Sequence, residues 1–194
     1  MTAERARERA RRAAAALALV AFFVVVLAGC SSGSEGSTGP TTTSGPASEL
    51  VAPEGFNTIT LVVTRPDGTT EELCLWLADT SALRAQGLMG VTDPELGGAA
   101  GMVFSFPEDA SGAFWMRNTL LQLSIAWYDG QGRFVSDADM DPCPADTVDE
   151  ACPRFAADGP YRYAIETPKG GLADLGLVEG STIELGSPCT VAEV

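Results

Sequence analysis

Histidine is absent from all 194 residues. Imidazole is the usual general base near neutral pH and the commonest metal ligand. Its absence excludes Ser-His-Asp and Cys-His nucleophile systems and His-based zinc sites. Basic residues are scarce as well, 12 against 26 acidic ones, for a formal net charge of −14. Five of them (Arg5, Arg7, Arg9, Arg11, Arg12) fall in residues 1–29 beside two acids, so the remainder holds seven basic and 24 acidic residues, a formal charge of −17. Such a surface has no basic stripe and repels phosphates, which argues against nucleic-acid binding. Long apolar runs are lacking too. The one unbroken stretch, Ala13–Ala28, is shorter than the roughly 20 residues a spanning helix needs.

That stretch follows the basic segment Met1–Arg12, and together they read as the n-region and h-region of a secretory signal over residues 1–29. It ends in "LAGC", Leu27–Cys30, which resembles the bacterial lipobox: cleavage before Cys30 leaves a lipidated cysteine first in the mature chain. Stable anchoring takes at least two acyl chains, and a diacylglyceryl group supplies both. The expected location is therefore the extracytoplasmic face of a cell membrane. Residues 30–52 read as the lipidated cysteine and a tether. From Ser31 to Ser48 all but Glu35 and Ala47 are Ser, Gly, Thr or Pro, a composition unable to offset its ordering entropy by burial. Its reach is about 20–25 Å.

Residues 53–194 are expected to form one domain. Strands are predicted at Asn57–Thr64, within 69–77, at Gly101–Phe106 ended by Pro107, in "LQLSIAWY" (121–128), and at 133–138, Tyr161–Glu166 and Ser181–Leu185. Pro66-Asp67-Gly68 and Asp129-Gly130-Gln131-Gly132 read as turns. Asp79 is a possible cap for a short helix ending at Gly87. Seven short strands with glycine-containing turns point to a mainly β fold, an antiparallel sandwich or barrel with one or two short helices.

Besides Cys30 there are Cys74, Cys143, Cys152 and Cys189, with no Cys-x-x-Cys spacing. Four cysteines permit three pairings. In an exported domain the expectation is Cys143–Cys152 within one loop and Cys74–Cys189 pinning the C-terminus to the first hairpin, against the alternative of a reactive thiol or metal cluster. Asp137, Asp139 and Asp141 imitate the start of a calcium loop. Pro142 and Val148 stand where the motif needs Gly and Glu, so a solvated acidic loop is expected, with no metal and no other cofactor.

The strings "RAQGLMG" (Arg84–Gly90), "GMVFSF" (Gly101–Phe106), "FWMRNTLLQLSIAWYD" (Phe114–Asp129) and "YAIE" (Tyr163–Glu166) resemble the DUF192 family, a bacterial and archaeal domain of unknown function, over about residues 74–185. The resemblance implies a mainly β domain and no established activity. It also implies a cysteine pair at the position of Cys143 and Cys152, common in exported members. The chain departs from the family where an aromatic residue and Arg usually follow "GLM" (here Gly90 and Val91), and where Pro and Asp usually stand at Gln122 and Ser124. The lost Arg and Asp, with the missing histidine, weigh against catalysis.

Two readings of "FWMRN" stand side by side. In one the aromatics are core and Asn118 serves a turn. In the other Trp115 is an aromatic wall, Arg117 and Asn118 supply donors, and Glu166 supplies an acceptor for a small polar ligand. The expected function is a tethered binding module for such a ligand or for an envelope protein. The alternative is a carboxylate-dependent hydrolase of envelope glycans, with Glu166 paired to Asp129 or Asp139.

Overall fold

A computed structural model describes residues 50–144 and 146–191. The expected signal, Cys30 and most of the tether lie outside these residues. Among the described residues the strands are β1 (Asn57–Thr64), β2 (Thr70–Ala78), β3 (Met102–Ala110), β4 (Phe114–Trp115), β5 (Leu123–Tyr128), β6 (Phe134–Met140), β7 (Arg154–Phe155), β8 (Tyr161–Pro168) and β9 (Thr182–Leu185), with one α-helix, α1 (Ser81–Gln86). Seven strands form one sheet in the order β6-β5-β8-β3-β2-β1-β9, and β4 and β7 form a separate ribbon.

The mainly β expectation holds, but the sheet is mixed. Trp76, Leu77 and Ala78 of β2 pair in parallel with Met102, Val103 and Phe104 of β3. A parallel pair requires a crossover, which residues 79–101 supply through α1 and the 3-10 turn Leu96–Gly98. The helix cap is Thr80 rather than Asp79: the Thr80 hydroxyl accepts from the Leu83 N–H at 3.2 Å. Nor does Pro107 end β3. The pairing of β3 with β8 slips between Ser105 and Ala110, so the missing N–H falls at an irregularity where no ladder bond is owed.

The two edges of the sheet meet. Ile183 N–H donates to Gly132 O at 2.8 Å and Phe134 N–H to Ser181 O at 3.3 Å, which curls the sheet into a barrel closed at that end. Glycine is needed at 132, because its φ is +71° and a Cβ there would stand 2.1 Å from Ile183 O.

Inside lies a core with Leu61, Val63, Leu75, Val103, Ala126, Tyr128, Ile165 and Ile183. The opposite face carries a second core with Met102, Phe104, Ile125, Trp127 and Ala164, covered by Leu88, Val91, Leu96 and Met116 from the connecting segments. All six residues of β5 are therefore buried, not every second one as the alternation of "LQLSIAWY" suggested. Its polar-looking face points into the barrel. Cys74 is bonded to Cys189 and Cys143 to Cys152, with Cα separations of 5.9 and 5.5 Å.

Candidate functional site

The crossover after β2 and the segment after β3 build a cleft over the outer face of the sheet. Gly87 ends α1 with φ +49°, its N–H donating to Leu83 O at 2.9 Å. This turns Leu88 down into the core. Gly90 N–H then donates to Asn118 O at 2.9 Å, so "RAQGLMG" is fastened directly to "FWMRNT". Between these strings and β8 is a small cavity of about 50 Å³, lined by residues 84–89 and by Phe104, Phe114, Trp115, Thr119 and Glu166. A second opening of about 280 Å³ adjoins it, sharing Arg84, Ala85, Phe104, Phe114 and Trp115 and adding Phe106 and Tyr161. The walls are aromatic edges and faces: the Phe104 and Phe114 rings meet edge-on at 5.2 Å, as do Phe106 and Tyr161 at 5.3 Å.

Glu166 closes the inner end. The register sets it opposite Met102 on one side and Ile125 on the other, an acid on an apolar face with only 5% of its surface exposed. Among the described residues no donor bonds its carboxyl and no cation pairs with it. Burial alone pushes its pKa up to about 8, so it holds its proton at neutral pH. Arg84 lines the same cleft but is committed elsewhere. Its Nη1 donates to Asp79 O at 2.5 Å and to Ser105 O at 2.7 Å, and its guanidinium lies 4.9 Å from the Phe106 ring centre.

The four expected ligand residues are thus divided. Trp115 and Glu166 share the aromatic cleft, whereas Arg117 and Asn118 line a different depression of about 360 Å³ beside the Cys143–Cys152 loop. Asn118 is a turn residue with φ +53°, a conformation asparagine tolerates better than most. Arg117 pairs with Asp149 at 2.8 Å, and its guanidinium stands 5.6 Å from the Trp115 ring centre. Arg154 from β7 lies closer over the same ring, at 3.8 Å. Sequence reasoning missed Arg84, Phe104, Phe106 and Tyr161 as cleft residues, although each lies in or next to a string carrying the family resemblance.

The acids expected to pair with Glu166 do not reach it. Ser124 aligns with both Asp139 and Thr167, which puts Asp139 on the opposite sheet face, where Ser124 Oγ donates to it at 2.5 Å. Asp129 stands four residues past Ile125, about 13 Å along the strand, and caps the β5–β6 turn by accepting from Gln131 and Arg133 N–H at 2.8 and 3.0 Å. Asp141 accepts from Lys169 and Gln122 at 2.8 and 2.9 Å. No group of three or more Cys, Asp or Glu among the described residues is placed to hold a metal ion.

The family DUF192, described as uncharacterized ACR, matches residues 62–185. The chain belongs to this family. Every strand that frames the cleft falls inside the matched span. A solved structure from Novosphingobium aromaticivorans DSM 12444, a protein of unknown function, is similar at 30% identity and a TM-score of 0.55, over 75% of this chain and 99% of that one. Another, a candidate transcription regulator from Sinorhizobium meliloti 1021, has 23% identity and a TM-score of 0.58, over 71% of this chain and 98% of that one, and supports the fold alone. No curated protein sequence matches this DUF192 chain.

Proposed function

We propose that this DUF192 protein is a membrane-tethered extracytoplasmic lipoprotein whose β domain binds a small ligand in the aromatic cleft over Glu166. One observation carries the ligand site: a carboxyl group 5% exposed and without a partner among the described residues opens into an aromatic cavity. Leaving such a group unpaired costs the fold about 1–3 kcal/mol or more, so retaining it suits a group that pairs with a ligand. The strings that carry the family resemblance converge on the same cavity. For the tether, "LAGC", the polar linker and two disulfides agree with export to an oxidising compartment.

The cleft is tested by a fragment screen on 15N-labelled residues 50–194. Binders should shift the amides of Gly87, Leu88, Phe114 and Trp115, and Trp115→Ala should weaken them at least tenfold. Binders that perturb only the Arg117–Asn118 depression would move the site there. The anchor is tested separately by supplying labelled palmitate to cells. Wild type should take up label and Cys30→Ala should not, and a wild type that stays unlabelled removes the lipoprotein assignment.

A further inference from the structure

We infer that the cleft is specific for a small organic ammonium: a primary amine that sets its charge against Glu166 and its apolar body between Phe104, Phe114 and Trp115. The inference rests on the cleft being a ligand site and concerns which chemistry that site selects. Three features of the molecule point the same way. Glu166 is buried without a partner cation among the described residues, a place that a ligand's charge would complete. Aromatic rings line the route inward, and their faces carry the negative side of the ring quadrupole, which attracts cations and not anions. The remainder of the chain beyond residue 29 has a formal charge of −17, a field that raises the local concentration of cations and disfavours anionic ligands.

Three cations oppose an ammonium ligand. Arg154 and Arg117 lie over the Trp115 ring but do not line the cleft, and Arg117 is paired with Asp149. Arg84 is the only cation among the described residues that lines the cleft, and its Nη1 is engaged by two backbone carbonyls while its plane lies against Phe106. It makes no hydrogen bond or ion pair with Glu166, so it does not take the place the ammonium would fill. The other titratable group on the lining is Tyr161, whose hydroxyl donates to Gly112 O at 2.7 Å and whose pKa is raised by burial, so it stays neutral through the relevant range. Among the described residues no second acid lines the small cavity that holds Glu166.

An ammonium can form an ion pair with Glu166 only once the carboxyl has released its proton to water. A primary ammonium keeps its own proton to about pH 10, whereas Glu166 holds its proton up to about 8. Affinity should therefore climb as pH rises from 6 toward 8.5, by roughly fifty-fold if one carboxyl governs it. A neutral ligand of the same shape should show little or none of that rise.

The experiment compares three probes of one shape on the full-length protein by calorimetry and NMR: phenethylammonium, phenethyl alcohol and phenylacetate. For so small a ligand a dissociation constant near the millimolar range is expected at pH 8.5. The amine should bind at least tenfold tighter than the other two, strengthen with pH, and lose at least tenfold in Glu166→Gln. The pH profile of the wild type reads the same group without any variant, so a poorly folded Glu166→Gln leaves the inference testable. Equal or tighter binding of the alcohol or of phenylacetate at Trp115 overturns the ammonium preference and leaves the cleft as a ligand site. Failure of the amine to bind, or amine binding indifferent to Glu166→Gln and to pH, also overturns it. The broader reading of the cleft falls only if the whole fragment set leaves Gly87, Leu88, Phe114 and Trp115 unmoved.

Discussion

Inside the barrel, the Tyr128 hydroxyl meets Ser181 Oγ at 2.9 Å, and Ser181 in turn donates to Val178 O at 2.6 Å. Across the sheet, Trp127 Nε1 is buried with no partner among the described residues, and Glu166, a strand away, has no hydrogen bond or ion pair to them. Both faces of β5 are equally buried, so exposure does not explain the difference. What differs is how each core is closed. The interior is sealed by side chains from strands that hold one another in register, and its polar groups are kept only where they find partners. The outer core is covered by connecting segments, which leave an opening above Glu166. Unpaired groups there cost stability without being removed, the pattern expected of a face retained for binding.

The comparison breaks most plainly at Leu75, fully buried inside the barrel. Leu75→Ala should cost about 2–5 kcal/mol through lost burial and the cavity left behind. Urea unfolding reads the loss. The cleft amides of the folded variant should keep their wild-type chemical shifts. Shifts at Phe114 or Trp115 as large as those beside Leu75 would mean that the two cores act as one.

Glu166 is the counterpart on the outer face. Its folded pKa of about 8 lies above the ordinary glutamate value of 4.5, so the folded chain holds a proton that the unfolded chain releases between those values. The stabilisation is complete below about pH 4.5, is lost as pH rises, and is gone above about 8. Between pH 5 and 8.5 wild type should lose on the order of 2–4 kcal/mol that Glu166→Gln keeps. The many exposed acids titrate in both proteins, so the difference between the two denaturation curves isolates this one group. Parallel pH profiles would mean that Glu166 is charged in the folded state and would remove the unpaired acid from the comparison.

These two residues also mark what the sequence can and cannot tell. Strand positions were readable from alternation and turn residues, and the cysteine partners from compartment and loop length. The parallel β2–β3 pair was not, because pairing direction depends on where the crossover returns and leaves no period in the chain. Pro107 misled for the same reason, since a break in the ladder is decided by the neighbouring strand. Glu166 was singled out from "YAIE", but its solitude was not visible: only the register, which turns Asp139 to the other face, denies it a second acid. Arg117 and Asn118 are neighbours of Trp115 in sequence, yet both line the depression beside the Cys143–Cys152 loop, Arg117 held there by Asp149, while Thr119 returns to the cleft.

The smallest expected effect lies in the β4–β7 ribbon, where Trp115 aligns with Arg154 and the guanidinium rests 3.8 Å from the ring centre. Arg154 is exposed, and a cation over an exposed aromatic face contributes only about 0.5–1 kcal/mol. Arg154→Ala should therefore cost no more than that in equilibrium unfolding. Its consequence for binding should be larger in proportion, because the same contact holds the indole that forms one wall of the cleft. Near-ultraviolet circular dichroism should show a loosened tryptophan, with cleft ligands weakened by a few fold at almost unchanged stability. A variant that instead loses several kcal/mol, or one that binds as wild type does, would show that the ribbon belongs with the rigid barrel and that the contrast between the two faces is drawn in the wrong place.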